Sequence, residues 1–420
     1  MVKPMEIQRP LYLQQLIDGM DNGLIKVVTG MRRCGKSYLL FTLFYKYLLD
    51  QGIPRDHIIE AALDDMTYES LRERHALYSY VKDRIVDDGK YYILLDEIQY
   101  VPDFYEVLNS FLHISNADVY VTGSNSHLLA SDVLTELRGR GQEIRLYPLS
   151  FAEYCSAVPE RPMEAWQDYI IYGGLPMLFN LKTEKAKRNY LLSLFRETYL
   201  KDISERYEIQ QPDEMAELIE ILASAVGSLT NPRKLQRTFR SVKHVSIGDK
   251  TISRYISYLK DAFLIDSALR YDIKGKKYIN TPVKFYFTDL GLRNALLGFR
   301  QIEETHIMEN VIFNELKSRG YSVDVGIVER RVQEDGKSRR QQMEIDFIAY
   351  EGNHKYYIQS AFAIPDEQKK EQEERPLLLV DDSFKKIVVL SSPIRLRRDT
   401  AGITTMSIYD FLLQKDSLDR

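Results

Sequence analysis

The segment Gly30-Met31-Arg32-Arg33-Cys34-Gly35-Lys36-Ser37 constrains this 420-residue chain more than any other. It follows the short apolar run Lys26-Val27-Val28-Thr29 and leads into a helix-like apolar stretch from Tyr38 to Asp50. Two glycines around four residues let backbone N–H groups curl about an anion, and the helix behind them adds the positive end of its dipole. A lysine at the position of Lys36 reaches the β- and γ-phosphates of a nucleotide, and a hydroxyl at Ser37 ligates Mg²⁺. Gly30 to Ser37 are therefore the expected nucleotide-binding residues. Such a loop needs a strand before it and a helix after it, so the chain has to begin with an α/β unit.

Three further apolar runs complete a sheet: Ile58 to Leu63, Tyr91 to Asp96 and Asp118 to Gly123. Their unbroken apolar character predicts strands buried on both faces, hence a parallel sheet with helical crossovers. The run from Tyr91 ends in Asp96-Glu97. At a strand tip beside a phosphate loop, Asp96 is placed to hold Mg²⁺ and Glu97 to orient the attacking water as a base. The next run ends in Thr122-Gly123-Ser124-Asn125, which puts Ser124 or Asn125 beside the γ-phosphate; Asn125 is the catalytic candidate. Beyond it, Arg138 and Arg140 lie in a glycine-rich turn. Arg140 is the candidate arginine finger, acting on its own subunit or on a neighbour's, which would require a homo-oligomer. Cys34 reads as a neutral spacer in the loop.

The ordering of Thr-Gly-Met-Arg-Arg-Cys-Gly-Lys-Ser, Leu-Asp-Glu-Ile-Gln and Thr-Gly-Ser-Asn-Ser resembles a prokaryotic AAA-like (P-loop) ATPase. The segments Tyr172-Gly173-Gly174-Leu175-Pro176 and Tyr199-Leu200-Lys201-Asp202-Ile203 are similar to those of the subgroup with a C-terminal domain of unknown function numbered 4143. The resemblance implies ATP binding, hydrolysis and a nuclease-like C-terminal fold. The expected class is thus α/β: a P-loop NTPase domain with a parallel sheet at 1–150, then a helical lid or linker at 151–210. A winged-helix region follows at 211–300 and a degenerate restriction-endonuclease-like domain at 301–420.

Ser150 with Glu153 predicts a capping box opening the helical part. Helices expected at 213–227, 232–240 and 250–263, then a strand ribbon at 264–271 and 284–287, make the winged-helix pattern. Whole-chain charge discourages a nucleic-acid coat: 57 Lys and Arg against 61 Asp and Glu give −4. Yet Asn231 to Arg300 holds fifteen basic and five acidic residues, a net +10. Lys250, Arg254 and Lys260 on the presumed second helix of the pair, at 250–263, with Lys274, Lys276 and Lys277 in the ribbon loop, are the expected contacts to double-stranded DNA.

Further on, Glu309, Asp346 and the run Gln359-Ser360-Ala361 resemble a restriction-endonuclease-like core. In that core an acidic pair binds Mg²⁺ and a lysine beside a third carboxylate activates water. Gln359 supplies no ligand charge and Ala361 no base, so nuclease activity is not expected; Lys355 is a remote substitute. The 329–342 segment reads as a charged loop. Two cysteines exclude a disulfide framework; no signal peptide is expected from the first residues, and no 18-residue apolar run occurs. The expectation is a cytoplasmic, Mg-dependent ATPase acting as a switch for a nucleic-acid or protein partner. The competing expectation is a DNA-binding regulator with a structural, non-hydrolysing nucleotide site.

Overall fold

The computed structural model describes residues 7–123, 137, 139–243, 247–300, 302–334 and 337–420. The chain divides into two compact units. The first contains residues 1–149 with the short segments Leu175–Met177 and Asp261–Phe263; the second contains the remainder.

In the first unit, strands β1 (Ile25–Thr29), β2 (Ile58–Ala62), β3 (Tyr91–Asp96), β4 (Ala117–Thr122) and β5 (Gly141–Arg145) form one sheet in the order β2-β3-β4-β1-β5. All its pairings are parallel. The apolar runs became strands for the expected reason: Val27, Ile93, Leu95, Val119 and Val121 are buried against Leu77, Val81, Phe104, Leu108 and Phe111 from the crossover helices. The edge strand β5 went unread, because Gly-Gln-Glu-Ile-Arg is polar and half-exposed on an edge.

One charge lies inside this sheet. Lys26 of β1 is fully buried and pairs with Asp118 of β4. The same carboxylate accepts from the Tyr120 hydroxyl at 2.9 Å and from the Asp21 backbone N–H at 3.1 Å. Burial lowers the Lys26 pKa and the carboxylate opposes that shift. The pair therefore ties β1, which leads into the phosphate loop, to its neighbour.

The second unit opens with the Ser150 cap, where the Ser150 hydroxyl accepts from the Glu153 N–H and the Glu153 carboxylate accepts from the Ser150 N–H. The Tyr-Gly-Gly break is a packed turn. Gly173 sits at φ +78° against the buried Asp289 carboxylate, which accepts from the Gly174 N–H at 2.9 Å. Any side chain at Gly173 would strike that carboxylate. The helices Pro212–Ser224 and Asp249–Asp261 lie where the periodicity placed them, and a third begins at Pro232.

Among the described residues the unit's sheet has eight strands: β6 (Ile265–Asp272), β7 (Lys277–Phe287), β8 (Ser322–Glu334), β9 (Lys337–Glu351), β10 (His354–Ala361), β11 (Lys385–Leu390), β12 (Arg397–Arg398) and β13 (Ile403–Ser407). Their order is β12-β13-β11-β10-β9-β8-β6-β7. Two expectations are corrected here. The ribbon β6–β7 does not end a separate region near residue 300: β6 pairs with β8 in parallel, so ribbon and C-terminal strands share one sheet. The 329–342 segment is not a loop either, since β8 and β9 stay paired from Glu329↔Gln342 to Glu334↔Lys337. A two-stranded arm needs no apolar face, so its charged sequence imitates a loop.

Lys26→Met is expected to destabilise the chain by about 3–5 kcal/mol in urea unfolding, because it strands a buried carboxylate. The double change Lys26→Met with Asp118→Leu should recover most of that loss. A wild-type unfolding midpoint for the single variant would show that the pair does not hold the sheet.

Candidate nucleotide site

The parallel order puts the tip of β4 between the tips of β1 and β3. Val28 of β1 lies opposite Thr122 of β4, and Leu95 of β3 lies opposite Val121. The phosphate loop and the Asp96-Glu97 tip are thus separated by one strand, and that strand ends in a hydroxyl.

The loop itself is held tightly. Gly30, at φ +141°, faces the Leu146 carbonyl so closely that any Cβ would collide with it. Arg33, exposed on the loop, adopts φ +66°. Lys36 is buried and its ammonium donates to the carbonyls of Gly30 and Met31, both at 3.2 Å, so it folds back across the loop. Met31 is buried under the loop and Arg32 half-buried beside it. Cys34 points inward, its Sγ 3.6 Å from the Leu146 carbonyl. Burial raises its pKa, with Lys36 opposing. The thiol is a spacer packed beneath the loop.

On the far side, Asp96 is buried and accepts hydrogen bonds from the Thr122 and Ser37 hydroxyls. Burial raises its pKa, and those two bonds oppose the rise. The Thr122 oxygen also accepts from the Glu97 backbone N–H at 3.1 Å. Glu97 itself is half-buried at φ +52°, a turn that leads its side chain off the strand, where the Gln99 amide donates to it. Ser37, Asp96, Thr122 and Glu97 are thus linked through one hydroxyl and one carboxylate. These oxygen donors suit a hard cation such as Mg²⁺, which keeps most of its waters and needs one or two protein oxygens beside the phosphates. Among the described residues no group of three His, Cys, Asp or Glu is arranged to hold a metal alone.

Two residues of this site escaped sequence reading. Thr122 carried a signal, as the last residue of an apolar run at a strand tip. Arg9 carried little: it is buried in front of the helix Pro10–Asp18 and donates to the Cys34 carbonyl at 3.1 Å and the Tyr147 carbonyl at 2.7 Å. It braces the loop from behind.

Other expected residues are distributed differently. Ser124, Asn125 and Arg138 lie outside the described residues. Arg140 is exposed just before β5, at the end of the sheet opposite the loop: Gly141 pairs with Ile25, whereas Arg145 pairs with Thr29. Five strand residues put roughly 16 Å between it and its own phosphate loop. Of the two alternatives left open for Arg140, its own subunit's phosphate loop lies at the other end of β5. Lys250, Arg254, Lys260, Lys274, Lys276 and Lys277 are all exposed. Two other charges in the +10 segment, Lys284 and Arg293, are buried and add nothing to a surface patch. Glu309 and Asp346 do come together, whereas Lys355 pairs with Asp382 at 3.1 Å instead of joining them.

Comparison with known proteins agrees with the geometry. Residues 22–155 match the model of a family described as AAA domain. The chain is 34% identical over 414 residues to an uncharacterized protein of Haemophilus influenzae, covering 97% of this chain and 99% of that protein. The chain belongs to the same family as that protein, and its residues 22–155 form an AAA-like domain. An uncharacterized protein of Methanocaldococcus jannaschii is 26% identical over 365 residues, covering 83% of this chain and 77% of its own length. The Walker-type ATPase PABY2304 of Pyrococcus abyssi is similar over 70% of this chain and 96% of its own, with 14% identity and a TM-score of 0.49. Residues 163–303 match a domain of unknown function numbered 8612, not 4143. That match spans the expected lid and winged-helix regions together. No helix among the described residues is long and apolar enough to cross a membrane.

Both thiols should resist alkylation in the native chain at pH 8. Cys34 is enclosed, and burial pushes Cys155 up to about 11, so its thiolate is scarce. Labelling of Cys155 should accelerate as pH rises towards 11, while Cys34 reacts only after unfolding; mass spectrometry of the labelled peptides reads both. Rapid labelling of Cys34 at pH 8 would contradict the packed loop.

Proposed function

We propose that the chain is a Mg²⁺-dependent ATPase that works as a molecular switch, with nucleic acid as the partner of its second unit. The carrying observation is the linkage of Ser37, Asp96, Thr122 and Glu97 beside the phosphate loop. In this reading Gly30 to Ser37 bind the phosphates of ATP, with Lys36 turning from the loop carbonyls to the β- and γ-oxygens. Ser37 and Asp96 hold the Mg²⁺, whose charge offsets that developing on the phosphates. Glu97 orients the attacking water and Asn125 the γ-phosphate. Loss of the γ-phosphate would remove its contacts with Lys36 and Asn125, and that difference biases the conformation of the domain. Arg140, exposed and remote from its own loop, serves as a finger only towards a neighbouring copy.

Lys36→Ala should abolish ATP binding in a titration with a fluorescent analogue. Glu97→Gln should keep binding but slow turnover by about 100-fold or more, leaving ATP trapped on the protein. Wild-type turnover at the level of the Lys36→Ala protein would instead favour a nucleotide that serves only as a structural ligand.

The nucleic-acid part rests on exposed Lys250, Arg254, Lys274, Lys276 and Lys277. Phosphate contacts release counter-ions, so binding weakens with salt in proportion to their number. Neutralising Lys274, Lys276 and Lys277 together should lower the slope of log K against log salt for duplex DNA by about 3. Absence of any duplex shift at low salt would remove DNA as the partner.

A further inference from the structure

Three carboxylates converge inside the second unit, on one ammonium. Lys284 of β7 is 3% exposed. Its Nζ lies 2.8 Å from Glu309 on the helix Glu304–Ser318, 2.6 Å from Glu344 on β9 and 3.4 Å from Asp346 on the same strand. Such a cluster demands a cation, because buried carboxylates without one are expelled or neutralised. A divalent ion and a lysine are the two ways to supply it. We infer that Lys284 is the resident cation of this cluster and takes the place a divalent metal would otherwise fill.

The surroundings favour the lysine. Donors already occupy the oxygens that face inward: Glu309 Oε1 accepts from the Tyr286 hydroxyl at 2.7 Å as well as from Lys284. Asp346 Oδ2 accepts from the Ser360 N–H at 2.9 Å. Gln359, the neutral residue where a third ligand charge is missing, turns its amide away: its oxygen faces the Asp346 N–H at 3.4 Å and its nitrogen donates to Glu373 at 3.1 Å. A metal entering this space would meet a buried positive charge and hydrogen-bond donors rather than open lone pairs. Burial raises the Glu309 pKa and Lys284 opposes that rise, while the three carboxylates hold the ammonium charged. The backbone is fitted to the arrangement as well, since a Cβ at Gly227 would press on the Glu309 carboxylate at 3.2 Å.

Mn²⁺ is the probe, read by electron paramagnetic resonance on the nucleotide-free full chain. In the wild type, Mn²⁺ stoichiometry should be the same with and without Asp346→Asn, and supercoiled plasmid with Mn²⁺ should stay intact. Lys284→Met should gain one Mn²⁺ per chain. Its Tm should fall by roughly 10 °C and recover in part as Mn²⁺ is added. A wild-type Mn²⁺ that Asp346→Asn removes, or plasmid cleavage sensitive to Asp346→Asn, would overturn the inference and make Lys284 the water-activating lysine of a metal nuclease. A folded Lys284→Met protein that gains no Mn²⁺ would also overturn it. Should that variant not fold, the wild-type comparison decides alone.

Discussion

A lysine buried in each sheet, matched by carboxylates on neighbouring elements, is the constraint on which both halves of this chain depend. Taking an ammonium out of water costs several kcal/mol, and only well-placed carboxylates with further hydrogen bonds offset that cost. In the first unit Asp118 meets Lys26 across the β1–β4 pairing, and Tyr120 and Asp21 complete the carboxylate's bonds. In the second, Glu309, Glu344 and Asp346 surround Lys284. Neither arrangement tolerates a slipped register, because a one-residue shift turns every side chain to the opposite face. Fixed register at β1 and β4 is what sets Val28 and Thr122 level, and with them the loop and the oxygen donors beside it.

The nucleotide site follows from that alignment. Its reactive groups sit on strand tips and turns, but a hydroxyl on the intervening strand joins them. Thr122 contacts Asp96 through its side chain and the Glu97 backbone through the same oxygen. Asp96 and Glu97 are therefore mechanically connected. This suits a device whose two states differ by a single phosphate group.

Much of the first unit was legible in the sequence because physical demands there are local. A strand buried on both faces must be largely apolar, and a phosphate loop must have its glycines, lysine and hydroxyl at fixed spacing; Gly30 to Ser37 obey the second demand, and β1 to β4 obey the first apart from the paired Lys26 and Asp118 and from Glu60 of β2. Elsewhere the decisive partners are distant. Lys284 is 25 residues from Glu309 and 62 from Asp346, and a lysine in a strand ordinarily reads as solvent-facing. Its burial emerges only when β7 joins the sheet that β8 and β9 build. Pro282 and the polar residues before it concealed the first half of β7. For Arg140 the local sequence left its own loop and a neighbour's open, because the end of the sheet it occupies depends on the direction of β5.

The contact between Gly30 and the Leu146 carbonyl has a thermodynamic reading. With Gly30 pressed on one side, Arg9 bracing Cys34 from another and Lys36 folded over the top, the loop has few alternative shapes to visit. A ligand that arrives finds its cradle already made, so little conformational entropy is surrendered on binding. The lysine alone has to exchange its carbonyl partners for phosphate oxygens. Affinity can then come from charge and hydrogen bonds without an ordering cost, and nucleotide exchange is left to whatever moves that one side chain.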